Sequence, residues 1–402
     1  MRALAGAAWI AALFLDSVLF SHTVALRLAL LFAGAALVAG TLIRRSPSLR
    51  PVPPIWPAFA LWGTWAAFSI SWSLDAGRSA KEFQNEIVYA ALALWVCYVA
   101  AQARMAHRVI VRVVALGSTA VCLVAVCAFF FRPSWDWHGG PGTHSSTLIT
   151  LMPCAAMTAW YAYRSKWSWR AQSLVWLLAA LLFLSAYTTL NRTIWIAYLS
   201  QITLMGALLA LRGRERQPPA ALVRQRAAAL AIVIAMAVAA TAIVRHIQSQ
   251  REASGSAPEI SRDARWNLWP LILERVENRP LTGFGFGRGL LRHPLTQEMN
   301  EGNLWHSHNL VLDELVQTGL VGLLLLAGLL AATLREGWRS LRNPDDDLRA
   351  ACGVALIAVV AGMLIRNMTD VLWVRQSALL YWGIVGVLLA WGAGPKHEVD
   401  AS

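Results

Sequence analysis

Apolar runs separated by short polar turns recur along nearly the whole chain. Each run has the 17 to 25 residues that a helix needs to cross roughly 30 Å of hydrocarbon. The pattern predicts twelve membrane-spanning helices, at 3–20, 26–43, 54–72, 86–102, 109–131, 147–163, 172–190, 193–211, 227–246, 309–333, 350–366 and 377–393. The first run reads as a retained span, because no separable signal precedes it. One interval breaks the rhythm. From Gln248 to Asn309 the chain is polar and carries SRDARWNLW, PLTGFGFGRG and WHSHN, then enters the apolar run at Leu310. The chain therefore divides into 1–247 with nine spans, 248–308 as a large loop with short amphipathic helices, and 309–402 with three spans and a polar tail.

Composition sharpens this picture. Of the 402 residues, 57% are hydrophobic and 14% charged, where a soluble domain carries about 25% charged. In a bilayer the backbone must satisfy its own polar groups, so such runs are helical. The expected fold is an all-α polytopic membrane protein. The formal net charge of +13 then reads as loop topology and affinity for anionic lipid rather than nucleic-acid binding. The five cysteines fall inside predicted spans without metal-ligand spacing, so neither a disulfide framework nor a zinc site is expected. Most of the 20 tryptophans read as interfacial anchors.

Charge placement orients the chain. With both termini cytoplasmic, the cytoplasmic segments hold 19 Lys and Arg, and the short opposite loops hold 6: Arg78, Lys81, Arg132, Arg192, Arg366 and Arg375. This bias follows the positive-inside rule and puts the 248–308 loop outside. Within that loop, Lys and Arg balance Asp and Glu, so bulk charge is not its device.

Four outer elements carry candidate chemistry, each set against a plainer reading. Arg192 follows Asn191 in a tight turn; its guanidinium suits phosphate oxygens, or it simply snorkels. Arg262 and Arg265 open an amphipathic helix with Ser261 as its N-cap and Trp266 and Trp269 on its face; membrane anchoring is the alternative. Gly283, Gly285, Gly287 and Gly289 alternate with Phe284, Phe286 and Arg288, a spacing that permits close backbone approach and anion-holding N–H groups, or a flexible turn. It is no dinucleotide fingerprint, since no strand precedes it. His306 and His308 flank the tenth span, and on a helix they would point about 200° apart, so a pocket would use one of them as a base. Asn309, Asp313 and Gln317 form an i, i+4, i+8 stripe that must face protein or a wet cavity. On the opposite side, NPDDDLR reads as an aspartate cap on the eleventh span rather than a metal site. The 366–376 segment, RNMTDVLWVRQ, is too polar to face lipid.

Taken in order, Arg265-x-x-x-Trp269, Pro280-Leu281-x-Gly283-x-Gly285 and His308-Asn309, followed by a helix with Gln317-Thr-Gly319-Leu-Val-Gly322, resemble the O-antigen ligase and polymerase superfamily. Asn191-Arg192 looks like that family's Ser-Arg element with Asn replacing Ser, and Gln317 stands where many members carry Glu. The resemblance covers most of the chain, and the WHSHN form and layout look most like the O-antigen ligases. It implies a metal-independent, GT-C-like glycosyltransferase of the Gram-negative inner membrane, without a cofactor. Such enzymes move O-antigen polysaccharide from undecaprenyl pyrophosphate to a sugar hydroxyl of lipid A-core, at a periplasmic site. Carried over, His308 would deprotonate or orient the acceptor hydroxyl, and Arg192, Arg265 and Arg288 would hold the pyrophosphate, with His306, Asn309, Asp313, Gln317 and Trp269 in support. Polymerases and protein O-oligosaccharyltransferases share these motifs. A twelve-span transporter would instead show internal repeats and polar residues at mid-membrane, whereas the unusual residues here gather at the outer ends of the spans.

Overall fold

Runs that lie where no water can bond their backbone fold as helices, and every regular element among the described residues is helical. The computed structural model describes residues 2–19, 23–43, 49–102, 106–131, 140–213, 265–299, 306–344, 346–371 and 375–394, with short helical pieces between 234 and 249. The helices are α1 (Arg2–Leu19), α2 (Val24–Ile43), α3 (Trp56–Ser69), α4 (Ala76–Ala101), α5 (Ala106–Phe131), α6 (Gly140–Arg164), α7 (Trp169–Thr188), α8 (Arg192–Gly213), α9 (Arg265–Asn278), α10 (Arg292–Met299), α11 (Leu310–Leu341), α12 (Asp347–Asn367) and α13 (Arg375–Ala393). Eight of them, α2, α4, α5, α7, α8, α11, α12 and α13, are long and apolar enough to cross a membrane. α1, α3 and α6 coincide with three further predicted spans. The predicted span 227–246 lies largely outside the described residues, as do Ser261 and Arg262.

Two boundaries differ from the sequence reading for local reasons. α4 begins ten residues before the predicted span, because Asp75 caps it by accepting the Arg78 N–H at 2.9 Å. Arg78 and Lys81 therefore stand on a helix rather than in a loop. α6 begins at Gly140, seven residues before the predicted span 147–163. The aspartate run behaves as expected: Asp346 caps α12 by accepting from Leu348 and Arg349.

Buried polar groups tie the bundle together. Arg27 of α2 meets Asp16 of α1 at 3.2 Å and donates to Gln376 of α13. Gln201 of α8 donates to the Ile149 and Ala358 carbonyls, joining α6 and α12. At one end of α8 and α12, Arg212 and Arg164 both reach Asp347, at 2.9 and 3.2 Å. At the other end, Thr193 meets Thr369 at 3.2 Å, beside Arg192 and Arg366. The basic residues expected inside and those expected outside thus occupy opposite ends of these two helices.

α11 is broken at Gly319 (φ +70°, ψ −171°). Segment 280–287 fills the break. Phe284 and Gly285 donate to the Val316 and Gln317 carbonyls at 2.8 and 2.9 Å, and Leu320 and Val321 donate back to the Pro280 and Leu281 carbonyls. The strap therefore supplies partners for backbone groups that the break would orphan, an outcome worth several kcal/mol per group away from water. Only glycine fits here: a Cβ at Gly319 would sit 2.2 Å from Leu281 backbone, and one at Gly283 2.5 Å from the Gln317 carbonyl. Phe286 N–H continues to Ser69 Oγ and Gly287 N–H to Gln317 Oε1. This strap leads straight into Arg288.

Gly319→Ala combines a disfavoured φ with a backbone collision, so it should cost upwards of about 1–3 kcal/mol and lower the midpoint of thermal unfolding in detergent. Gly40→Ala, with nothing within 4 Å of the added Cβ, should leave that midpoint unchanged or raise it.

Candidate functional site

Three turns converge beside the strap: 306–309 before α11, 366–371 after α12, and the start of α8. The first is not helical. His308 has φ +53°, a region histidine enters more readily than most residues, and α11 begins only at Leu310. The helical phase expected for the two histidines is therefore absent. Their rings stack instead, with centroids 3.9 Å apart and planes 30° apart, so the two side chains lie side by side. Leu190, just before Asn191-Arg192, is likewise left-handed at φ +47°, and Asn191 Oδ1 holds that turn by accepting from Thr193 N–H and Oγ.

The polar stripe of α11 braces these turns. Asn309 caps the helix by accepting from Val311 and Leu312, and donates to the Met368 carbonyl at 3.2 Å. Asp313 accepts the Ser307 N–H at 2.9 Å and lies 3.3 Å from His306 Nδ1. Gln317 holds the strap. Trp269, expected on a lipid-facing helix surface, donates its indole N–H to the Ser307 carbonyl at 2.9 Å. Trp266, next to it, is exposed, while Leu268 and Ile272 are buried, so α9 is amphipathic but turns Trp269 toward the site. The glycine run makes the close backbone approach that its spacing permits. The amides of 284–287 are consumed by α11 and Ser69, so they form no anion cradle.

Sequence reasoning missed Asp370 and Arg366 as site residues. Asp370 Oδ1 lies 3.1 Å from His308 Nδ1, and its Oδ2 lies 3.7 Å from Arg366 Nη2. Their i, i+4 spacing in a segment too polar for lipid was the available signal. Arg366 is nearly fully buried, donates to Ser145 Oγ at 3.0 Å, and lies within electrostatic range of Arg265. Arg288 donates to the Val371 carbonyl at 2.8 Å, lies 3.7 Å from Glu86 Oε1, and lines a small cavity with His306 and Asp313. The predicted residues Arg265, Arg288, His306 and His308 thus come together, and the turn that carries Arg192 reaches them through the contact between Thr193 and Thr369.

The electrostatics distinguish the two histidines. Burial holds the His306 imidazole below its ordinary value, against the pull of Asp313. Its side chain is 5% exposed, against 15% for His308, so His308 is the ring a ligand can reach. Burial pushes the Asp370 carboxyl up, but the His308 hydrogen bond and the Arg366 charge outweigh it and bring it down to about 2. Asp370 is therefore ionised at neutral pH and accepts from His308 Nδ1, which leaves Nε2 as the acceptor face. His306, His308 and Asp370 have ligand atoms within 4.8 Å of one another, close enough to hold a cation. A dication there would sit beside Arg366 and near Arg265 and Arg288, whose charges oppose it.

Residues 177–327 match the O-antigen ligase family. The matched stretch runs from α7 into α11 and includes Arg192, Arg265, Arg288 and both histidines. The chain is also similar to the ComP-specific O-oligosaccharyltransferase of Acinetobacter baylyi, at 30% identity over 95 residues. That match covers 23% of this chain and 17% of the relative's length.

Because the Asp370 carboxyl lies below its unfolded value of about 3.9, it contributes stability above that value and loses it as pH falls towards 2. The stability gap between wild type and Asp370→Asn should stay constant from about pH 5 upward and close between about pH 4 and 2. Thermal unfolding across that range measures it, and a gap that instead widens on acidification contradicts the assignment.

Proposed function

We propose, for a chain that belongs to the O-antigen ligase superfamily, that it is an O-antigen ligase. In this reading it transfers O-antigen polysaccharide from undecaprenyl pyrophosphate to a sugar hydroxyl of lipid A-core. It does so at the periplasmic face of the inner membrane, with both termini cytoplasmic. The observation that carries the reading is the His308–Asp370 pair at 3.1 Å, set among arginines from three separate turns. A carboxylate-oriented imidazole is a hydrogen-bond acceptor for a hydroxyl, and guanidinium groups stabilise a pyrophosphate leaving group. Few other reactions need both together.

In the proposed step, His308 Nε2 takes the proton of the acceptor hydroxyl as its oxygen bonds to C1 of the donor sugar. The C1–O bond to pyrophosphate breaks on the opposite face, so the anomeric configuration inverts. Arg192, Arg265 and Arg288 receive the charge that develops on the leaving pyrophosphate, and the proton on His308 passes to it or to water as the product departs. Asp370 and Arg366 position the imidazole. His306, Asn309, Asp313, Gln317 and Trp269 hold the backbone that carries it. The chemistry so described requires no metal.

The partial likeness to an O-oligosaccharyltransferase favours a second reading, in which the acceptor hydroxyl belongs to a protein. Transfer by the purified full chain from undecaprenyl-pyrophosphate glycan, with lipid A-core, a second lipid-linked repeat or a protein as acceptor, separates the readings. Product should form with lipid A-core and be insensitive to a chelator. His308→Ala and Arg192→Ala should each lower transfer by about 100-fold or more, and undiminished transfer by either variant removes that residue from the step.

A further inference from the structure

A second polar cavity adjoins the candidate site on the other side of Arg288. Its volume is about 280 Å³, against about 10 and 40 Å³ for the two small cavities that Arg288 shares with Asp313. Five cations line it, Arg78, Lys81, Arg288, Arg292 and Arg375, with the carboxylates of Glu82 and Glu86. Three of the six cations in the short outer loops of the predicted topology, Arg78, Lys81 and Arg375, thus meet at one place. With water taking about 30 Å³ per molecule in the liquid, the space suits a phosphorylated sugar or a pyrophosphate.

Its walls are built rather than incidental. The strap lies so close against α4 that a Cβ at Gly287 would come within 2.9 Å of Glu82 Oε2, and one at Gly289 within 2.8 Å of Arg78 Nε. Arg78 Nη1 donates to the Gly289 carbonyl at 3.0 Å, and Arg78 Nε lies 3.6 Å from Glu82. α4 widens into a π-turn over Gln84–Val88, the segment that brings Asn85 and Glu86 to the cavity; such wide turns often mark functional sites. Arg375 opens α13 in a left-handed conformation, φ +46°, and Gln376 beside it is anchored by Arg27. The two carboxylates pair with Arg78 and Arg288, and five positive charges against two leave the cavity cationic.

We propose that this cavity is a second anion subsite, which binds a phosphate or pyrophosphate group of a lipid-linked glycan while the His308 cluster serves the bond being broken. Arg288 is the wall between the two. That the group belongs to a glycan substrate rests on the reading given under Proposed function; the binding of phosphate does not. The donor's pyrophosphate and a phosphorylated acceptor sugar share this chemistry.

Calorimetric titration of the full chain in nanodiscs with inorganic pyrophosphate, at fixed ionic strength, counts the sites. Wild type should bind two equivalents, Lys81→Gln/Arg375→Gln one, and the charge-keeping Lys81→Arg/Arg375→Lys two, with unchanged thermal unfolding showing that each variant is folded. An unchanged count in the glutamine pair overturns the proposal. In the transfer assay the glutamine pair should raise KM at least tenfold with kcat little changed. A rise for the donor assigns the cavity to its pyrophosphate, a rise for lipid A-core assigns it to an acceptor phosphate, and no rise for either overturns the substrate role. A wild-type chain that performs no transfer defeats the ligase reading, while the pyrophosphate count still decides whether the cavity binds anions.

Discussion

The exchange of hydrogen bonds between the broken α11 and the 280–287 strap is the constraint on which the rest depends. A helix interrupted in hydrocarbon would strand backbone carbonyls and amides at several kcal/mol each. Here the strap supplies donors for Val316 and Gln317 and acceptors for Leu320 and Val321. Trp65 adds a donor to the Thr318 carbonyl at 2.9 Å. Polar loop and membrane helix become one element, and Arg288 inherits a fixed position at its end. The glycines are the condition for this contact, because any side chain at Gly283 or Gly319 would meet backbone.

Buried charge is tolerated next to this joint because almost every charge has a partner. Asp370 lies between His308 and Arg366, Asp313 between His306 and the Ser307 amide, Glu86 beside Arg288. Glu314 accepts from Trp62 and Thr318. Breaking one member of such a set leaves the other uncompensated, which is more costly than losing the attraction itself. The arrangement is therefore stiff, and stiffness is what a site needs if it is to stabilise charge that appears only as a bond breaks.

Arg288 links two regions of different character. On one side lie aromatic rings and carboxylates in cramped cavities, suited to orienting a hydroxyl. On the other lies a larger cationic cavity, suited to holding an anionic group away from the reacting bond. In the proposed reading, where two large amphiphiles are joined, separating these tasks has a reason, since binding remote groups helps to offset the cost of bringing the reacting atoms together.

Hydropathy alone determined the all-helical membrane class and located the eight helices long and apolar enough to cross a membrane, because span length and backbone satisfaction are local demands that composition meets or fails. It also singled out Arg192, Arg265, Arg288 and His308 as candidate site residues, since charged groups at the end of an apolar run or within the one long polar interval are conspicuous. Periodicity could not anticipate that the two histidine rings lie against each other, because that depends on a left-handed φ at His308 rather than on helical phase. Nor could it assign the glycine run to bracing α11, or Asp370 to His308 across 62 residues. Those pairings are set where distant turns meet, and only the tertiary structure decides which turns do.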